Sequence, residues 1–250
     1  MTTPMSYNGS VSGTTSYITQ IATMAVVPET NAEFLTILPQ MIAYAELRMY
    51  RDLDFLFTSG SSTAYSLTAG SRILNVPADT FPYGTLVVPE QINVITPAGT
   101  SNPDLGTRVP LLPTTKEFLD AVYGASSTTG IPQYWVPFDD YTFLVGPYPD
   151  ENYTVELVGT YRPASLSPTN LTTFISLNLP DIMIMASMVY ISAYQRNFGR
   201  ASDDPQMAVT YESQYQALLK GAAAEEARKK FEASGWSSQS SSPFATPTRG

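Results

Sequence analysis

Two acidic pairs, Asp139-Asp140 and Asp150-Glu151, come nearest to a catalytic pattern. Two carboxyl groups ~5–9 Å apart can cleave a glycosidic bond, one as acid and the other as base or nucleophile. Both pairs sit at the ends of strand-like runs, where Asp is also an ordinary turn former. No spacing in the chain fixes a catalytic separation, so turn formation is the plainer reading and a carboxylate-dependent glycan hydrolase the alternative. Asp52-x-Asp54 is the closest approach to a calcium loop, and it lacks the glycine and the further acids that such a loop needs.

Most other chemistry is excluded by residue type. The 250 residues contain no Cys and no His. Thiolate zinc sites, cysteine nucleophiles and Ser-His-Asp triads are therefore impossible. No Lys follows a Gly and no G-x-G-x-x-G occurs, so neither phosphate loop is present. The sequence predicts no cofactor, no metal and no catalytic residue.

Glu46, Arg48 and Arg51 share one helical segment. They read either as an ion pair between subunits or as a solvated helix face. The methionines from Met183 to Met188 read as core.

The composition points to a non-catalytic, contact-making protein. Charged residues are 14%, against a usual ~25%. Polarity comes instead from Ser, Thr, Asn, Gln and 16 Tyr. The net charge is −9 and the acidity is central: residues 61–170 carry 4 basic and 10 acidic groups. That argues against binding nucleic acid by phosphate neutralisation, which needs Lys and Arg. The longest apolar uncharged run, Ile182–Gln195, is shorter than the ~20 residues of a membrane span. No membrane partner is expected.

The elements that must position these residues follow from periodicity. A short helix is expected over Ser16–Ala25, and Pro28-Glu29-Thr30-Asn31 opens another. Phe34, Leu38, Met41, Ala45, Met49 and Leu53 mark one apolar helical face. Pro39 predicts a division into a short helix up to Leu38 and a main helix over Pro39–Leu53.

From Phe55 to Tyr161 short Val, Thr, Tyr and Leu runs are broken by Gly, Pro, Asn and Asp. They predict strands at Ala64–Thr68, Arg72–Val76, Thr85–Val88, Gln91–Thr96, Tyr134–Phe138, Tyr141–Val145 and Tyr153–Tyr161. Pro147–Asn152 reads as the hairpin turn between the last two. A helix over Thr114–Tyr123, with an apolar stripe of Phe118, Leu119 and Val122, interrupts the strands.

Leu179-Pro180-Asp181 opens a helix running to about Asn197, its buried face set by Ile182, Met185, Val189, Tyr190 and Ala193, with Gly199 as the stop. Asp203-Asp204-Pro205 starts the last helix, striped by Met207, Tyr211, Tyr215, Leu218 and Ala222. Glu225–Lys229 and Glu226–Lys230 are spaced for i,i+4 pairing there. The fold class is α+β: a helical bundle formed by the N- and C-terminal segments with a β-rich middle insertion. The expected parts are 1–54, 55–170, 171–234 and an extended tail, 235–250.

The motif order resembles that of a known family. Leu38-Pro39 opens a helix with Ala45-Glu46-x-Arg48 and Arg51-Asp52-Leu53. A β-rich insert follows, then Gly130-Ile131-Pro132-Gln133-Tyr134, Gly146-Pro147-Tyr148-Pro149-Asp150 and Tyr161-Arg162-Pro163-Ala164-x-Leu166. Leu179-Pro180-Asp181 and Asp203-Asp204-Pro205 open the last helices. Over roughly Phe34 to Lys230 this resembles the head-to-tail adaptor (connector) proteins of tailed phages, of the podovirus-like kind. The long insert Phe55–Pro113 and the sparsely aromatic Val158-Gly159-Thr160 depart from the pattern.

The resemblance implies a structural virion protein at the head–tail junction, assembled in the bacterial host cytoplasm. It implies a homo-oligomeric ring, commonly of twelve copies, joining the portal protein to a tail nozzle or tail-tube protein. DNA would pass through the ring during ejection without specific binding. Under this reading Trp236, Phe244 and Arg249 are candidate portal-docking residues, and Glu46, Arg48 and Arg51 belong to the subunit interface. Asp79, Glu90, Asp104, Asp139 and Asp140 would face the channel, where acidic walls repel DNA and let it slide. The alternatives are another neck or tail-tube ring component and a tail-associated glycan hydrolase.

Overall fold

The structure, a computed structural model, describes residues 3–77, 84–100, 102–195 and 207–233. It is α+β, and the chain divides into two compact units. One comprises Met1–Leu56 and Ser165–Gly250, the other Phe57–Ala164. The sequence placed the second boundary at 170. Ser165–Asn170 instead belong with the helical unit, where Leu166 is buried and its amide donates to Glu46.

The helical unit begins with the paired β1 (Met5–Ser6) and β2 (Thr15–Ser16). Ser16 then caps α1 (Tyr17–Met24), its Oγ accepting from the Thr19 amide at 3.1 Å. The buried Tyr17 hydroxyl donates to Ser187 Oγ at 2.5 Å.

Asn31 caps α2 (Ala32–Asp52), its side chain accepting from the Phe34 amide at 3.0 Å. Glu33 in the first turn and Arg51 in the last match the helix dipole. The expected break at Pro39 does not occur: α2 is one helix of 21 residues with Pro39 inside it. An interior proline costs about 3 kcal/mol. Phe34, Leu38, Ile42, Ala45 and Met49 are all buried and lie on both sides of Pro39, so packing holds the two halves in one line. Ile42 takes the place expected for Met41, which is only half-buried.

The β unit contains β3 (Ser59–Leu67), β4 (Ile73–Asn75), β5 (Thr85–Thr96), β6 (Thr107–Pro110), β7 (Leu112–Pro113), α3 (Lys116–Tyr123), β8 (Thr129–Gly130), β9 (Tyr134–Pro137), β10 (Thr142–Gly146), β11 (Tyr148–Pro149) and β12 (Tyr153–Arg162). One sheet has the order β3-β12-β5-β6, all antiparallel. The other has the order β4-β10-β9-β7. Their facing side chains make one core, with Tyr65, Ile92, Val94, Val155 and Leu157 from the first and Leu74, Trp135, Phe143 and Val145 from the second.

Three expectations are corrected in this unit. Thr85–Val88 and Gln91–Thr96 are not separate strands but one, bulged at Glu90. Gly159 permits that close pairing, since a Cβ there would stand 2.4 Å from the Val88 carbonyl oxygen. Pro147–Asn152 is not a hairpin turn, because β10 and β12 lie in different sheets and β11 pairs with β8 in parallel. Finally, only Leu119 of the α3 stripe is buried, packed with Val136 and Leu144, while Phe118 and Val122 are exposed. A helix lying over one short hairpin has a single row to bury.

The chain returns to the helical unit through α4 (Phe174–Asn178), closed by a capping box between Thr173 and Ser176. α5 (Pro180–Gln195) follows directly. Its buried residues are Ile182, Met183, Ala186, Ser187, Met188, Ile191 and Ser192, whereas Met185, Val189 and Tyr190 are half-buried. The face has rotated from the expected one because α5 packs against α1, α2, α4 and α6 and is covered on more than one side.

In α6 (Met207–Ala233) the buried row is Tyr215, Ala222 and Glu226. Lys229 reaches both Glu225 and Glu226, at 2.7 and 2.8 Å. The expected Glu226–Lys230 pair is replaced by Lys230–Asp54 at 2.5 Å, because Glu226 is buried and caps the Leu56 amide. The expected α5 end near Asn197, the Gly199 stop, the Asp203-Asp204-Pro205 start and the 235–250 tail lie outside the described residues.

Candidate contact surfaces

Glu46, Arg48 and Arg51 all project from α2, but to different surroundings. Glu46 is 0% exposed, which overturns both surface readings of it. One carboxylate oxygen accepts from the Leu166 amide and the other from the Thr173 hydroxyl, each at 3.1 Å. Burial pushes its pKa up, and the bonds from Ser165, Leu166 and Thr173 pull the other way.

Arg48 makes a two-pronged contact with Glu212 of α6, at 2.7 and 2.5 Å. Its guanidinium lies 4.3 Å from the centre of the Tyr215 ring. Tyr215 donates its hydroxyl to Asp52 at 2.8 Å, and Asp52 is itself 3.5 Å from Arg48. The network joins α2 to α6 within one chain. Hydrogen bonding to Arg48 holds the Glu212 carboxyl below its ordinary value. Arg51 is exposed and, with Tyr44, Leu47, Arg48, Asp52 and Tyr190, lines an open hollow of about 560 Å³. Tyr44 and Tyr190 form its aromatic side, their rings 5.8 Å apart.

The acids expected to face a channel are exposed wherever they are described. Glu90, at the β5 bulge, accepts from the Thr160 hydroxyl at 2.9 Å. Asp104 pairs with Arg108 at 3.2 Å, and Arg108 also holds Glu156 of β12 at 3.0 Å. Asp139 and Asp140 form the turn between β9 and β10, where Asp139 accepts from the Tyr141 amide at 2.8 Å. Asp79, Trp236, Phe244 and Arg249 lie outside the described residues.

The acids of the hydrolase alternative are divided between two places. Asp139-Asp140 tip the β9–β10 hairpin, and Asp150-Glu151 precede β12, where Asp150 accepts from the Tyr153 hydroxyl at 2.7 Å. Each has the bonding of a turn former. Among the described residues no cluster of acids has the makings of a metal site, and no helix is long and apolar enough to cross a membrane.

Sequence reasoning did not find Glu212, Tyr215, Leu166 or Thr173 as partners of the α2 charges. These partners lie 120 to 164 residues away, and no local spacing signals them.

The family model described as SU10 adaptor protein matches residues 16–241, and the chain belongs to that family of phage head-to-tail adaptors. The family is structural rather than enzymatic. No curated protein matches the chain.

Proposed function

We propose that the protein forms a ring, commonly of twelve copies, that joins the portal to the tail at the head–tail junction of a podovirus-like particle and gives DNA a channel. The observation that carries this reading is the match to the adaptor family across residues 16–241. Physical features support it. The chain is poor in charge and rich in Tyr, as extended contacts between proteins favour.

The hollow beside Arg51, with its Tyr44–Tyr190 aromatic side, is the proposed subunit contact on the helical unit, with Arg48 at its rim. Glu46 supports this contact only from within, by fixing α2. The exposed acids Glu90, Asp104, Asp139 and Asp140, together with Asp79, are the proposed channel-facing set. Trp236, Phe244 and Arg249 are the proposed portal contacts.

The test is the mass of the purified protein alone and after addition of portal. The expected result is a chain of 27.2 kDa that joins the portal in multiple copies and loses that ability when residues 235–250 are removed. A protein that ignores the portal overturns the proposal.

A further inference from the structure

The β unit is layered. Trp135, Phe143 and Val145 of the second sheet face the first sheet and share its core. Val136 and Leu144 alternate with them along β9 and β10 and pack with Leu119 of α3 on the opposite side. α3 therefore covers the outer face of the second sheet. It is the one α-helix among the described residues of this unit, so no second helix of the unit covers the outer face of the first sheet.

Register defines that second face. Leu157 and Tyr161 of β12 point into the core, so Val158, Thr160 and Arg162 point outward. Val88 of β5 is paired with Thr160, and Ser61 of β3 with Val158, so both share this side. The face is built of small side chains, and Val88 is 50% exposed. Arg162 stands at one end of it. Its Nε is shut off from solvent without a hydrogen-bond partner, and its guanidinium makes no ion pair among the described residues. A cation held in this way is short of an acceptor. On the far side of the unit α3 turns Phe118 and Val122 to solvent, beside Glu117, an exposed acid with no ion pair among the described residues.

We propose that α3 of a second copy of this chain covers the outer face of the first sheet, with Phe118 and Val122 laid over Ser61, Thr160 and Val88 and the Glu117 carboxylate on the Arg162 guanidinium. The occupant follows from charge and from layering. The acid that α3 leaves unpaired matches the cation that the sheet leaves unpaired. Each surface also exposes apolar groups that a single chain leaves in water, Phe118 and Val122 on one and Val88 on the other. α3 already lies on a sheet face of its own copy through Leu119, and only its outward side remains to be covered. The two surfaces lie on opposite sides of the unit. Joining them links unlike faces head to tail, and that kind of contact closes a ring rather than a pair. Glu90, which accepts from Thr160, marks the margin of the covered area. The inference rests on the ring reading and gives the β units a subunit contact of their own.

The absence of cysteine makes the test clean. Two full-length variants, Ser61→Cys and Ala121→Cys, both at exposed positions, are mixed, assembled on the portal and treated with a short bis-maleimide. The expected product is a cross-linked pair of twice the 27.2 kDa chain mass that forms only when both variants are present. Glu117→Arg placed in the Ala121→Cys chain should reduce its yield by at least about tenfold, and Arg162→Glu in the Ser61→Cys chain should restore it. Val122→Asp, at an exposed position whose loss leaves the fold intact, should reduce the yield by a similar factor whether or not the Arg162 variant folds. An assembled ring without the cross-link overturns the α3 contact and leaves the ring reading standing. A cross-link that neither Glu117→Arg nor Val122→Asp weakens overturns it as well. Failure to assemble in multiple copies overturns both readings.

Discussion

The Thr173 hydroxyl donates to the Glu46 carboxylate at 3.1 Å across 127 residues of sequence, inside the helical unit. The other carboxylate oxygen takes the Leu166 amide. Glu46 therefore ties α2 to the chain as it re-enters this unit and to the cap of α4. Among the described residues no cation pairs with it, and desolvation dominates and raises its pKa.

A raised carboxyl pKa means that the folded state holds the proton more tightly than the unfolded chain does. The stability contributed by Glu46 is full below the ordinary glutamate pKa and declines as pH rises toward the folded value. Glu46→Gln removes that decline and can keep at least two of the three bonds, with its oxygen on Leu166 and its amide nitrogen on Thr173. Its stability relative to the natural protein should improve between pH 4 and pH 7 and lie within about 1 kcal/mol at neutrality. Glu46→Ala strands the Leu166 amide and should cost about 2–4 kcal/mol. Urea unfolding at the two pH values measures all three proteins. A Gln variant whose difference from the natural chain does not change with pH contradicts the account.

The Arg48–Glu212 pair behaves oppositely. The Glu212 pKa is lowered by the bonds from Arg48, so its contribution is present above the ordinary glutamate pKa and lost as pH falls through the folded value. Both side chains are partly solvated, at 22% and 36% exposure, which screens the pair. A double-mutant cycle with Arg48→Ala and Glu212→Ala should return a coupling of about 1 kcal/mol at pH 7, vanishing in strong acid. A cycle independent of pH would mean that Arg48 acts through its packing on Tyr215 instead.

These two charges show where the sequence is legible. Local chemistry is readable: the helices expected from Ser16 and from Thr114 begin there, capped by Ser16 and Thr115, because a cap is decided within four residues. The α2 break at Pro39 is misread because the local cost of proline is visible and the burial on both sides of it is not. β3 begins at Ser59 rather than Ala64 because pairing with β12 draws in Ser59-Gly60-Ser61-Ser62, which have little strand preference of their own. The interior position of Glu46 is hidden for the same reason, since Leu166 and Thr173 are not its sequence neighbours.

Gly159 supplies a sharper test of the β unit. A methyl group there would press on the Val88 carbonyl oxygen at 2.4 Å, a backbone atom that no rotamer change can move. Gly159→Ala should therefore shift β5 away from β12 and cost about 2 kcal/mol or more. Thermal unfolding should show the loss, with fast exchange appearing first at Val88 and Leu86, the residues paired to Thr160 and Tyr161. Full stability in the variant would mean that the bulge at Glu90 relaxes at no cost.

The exposed acids bear on the proposed channel. Asp139 and Asp140 tip the β9–β10 turn, Glu90 sits on the β5 bulge and Asp104 precedes β6, and none is needed to hold a core. Among the described members of this set only Asp104 is in an ion pair, with an Arg108 that keeps Glu156 when Asp104 is removed. Replacing Asp79, Glu90, Asp104, Asp139 and Asp140 with their amides should therefore leave stability within about 1 kcal/mol, as surface changes usually do. It removes five negative charges from the β unit. On the proposed ring those charges repel DNA phosphates, so the neutralised wall should hold DNA longer and slow its exit. The effect should shrink as salt rises and the Debye length falls below ~10 Å. Release of DNA from particles carrying the variant, timed at low and high salt, measures this. Slowing only at low salt is the expected pattern, and identical release at both salts would place these acids away from the DNA path.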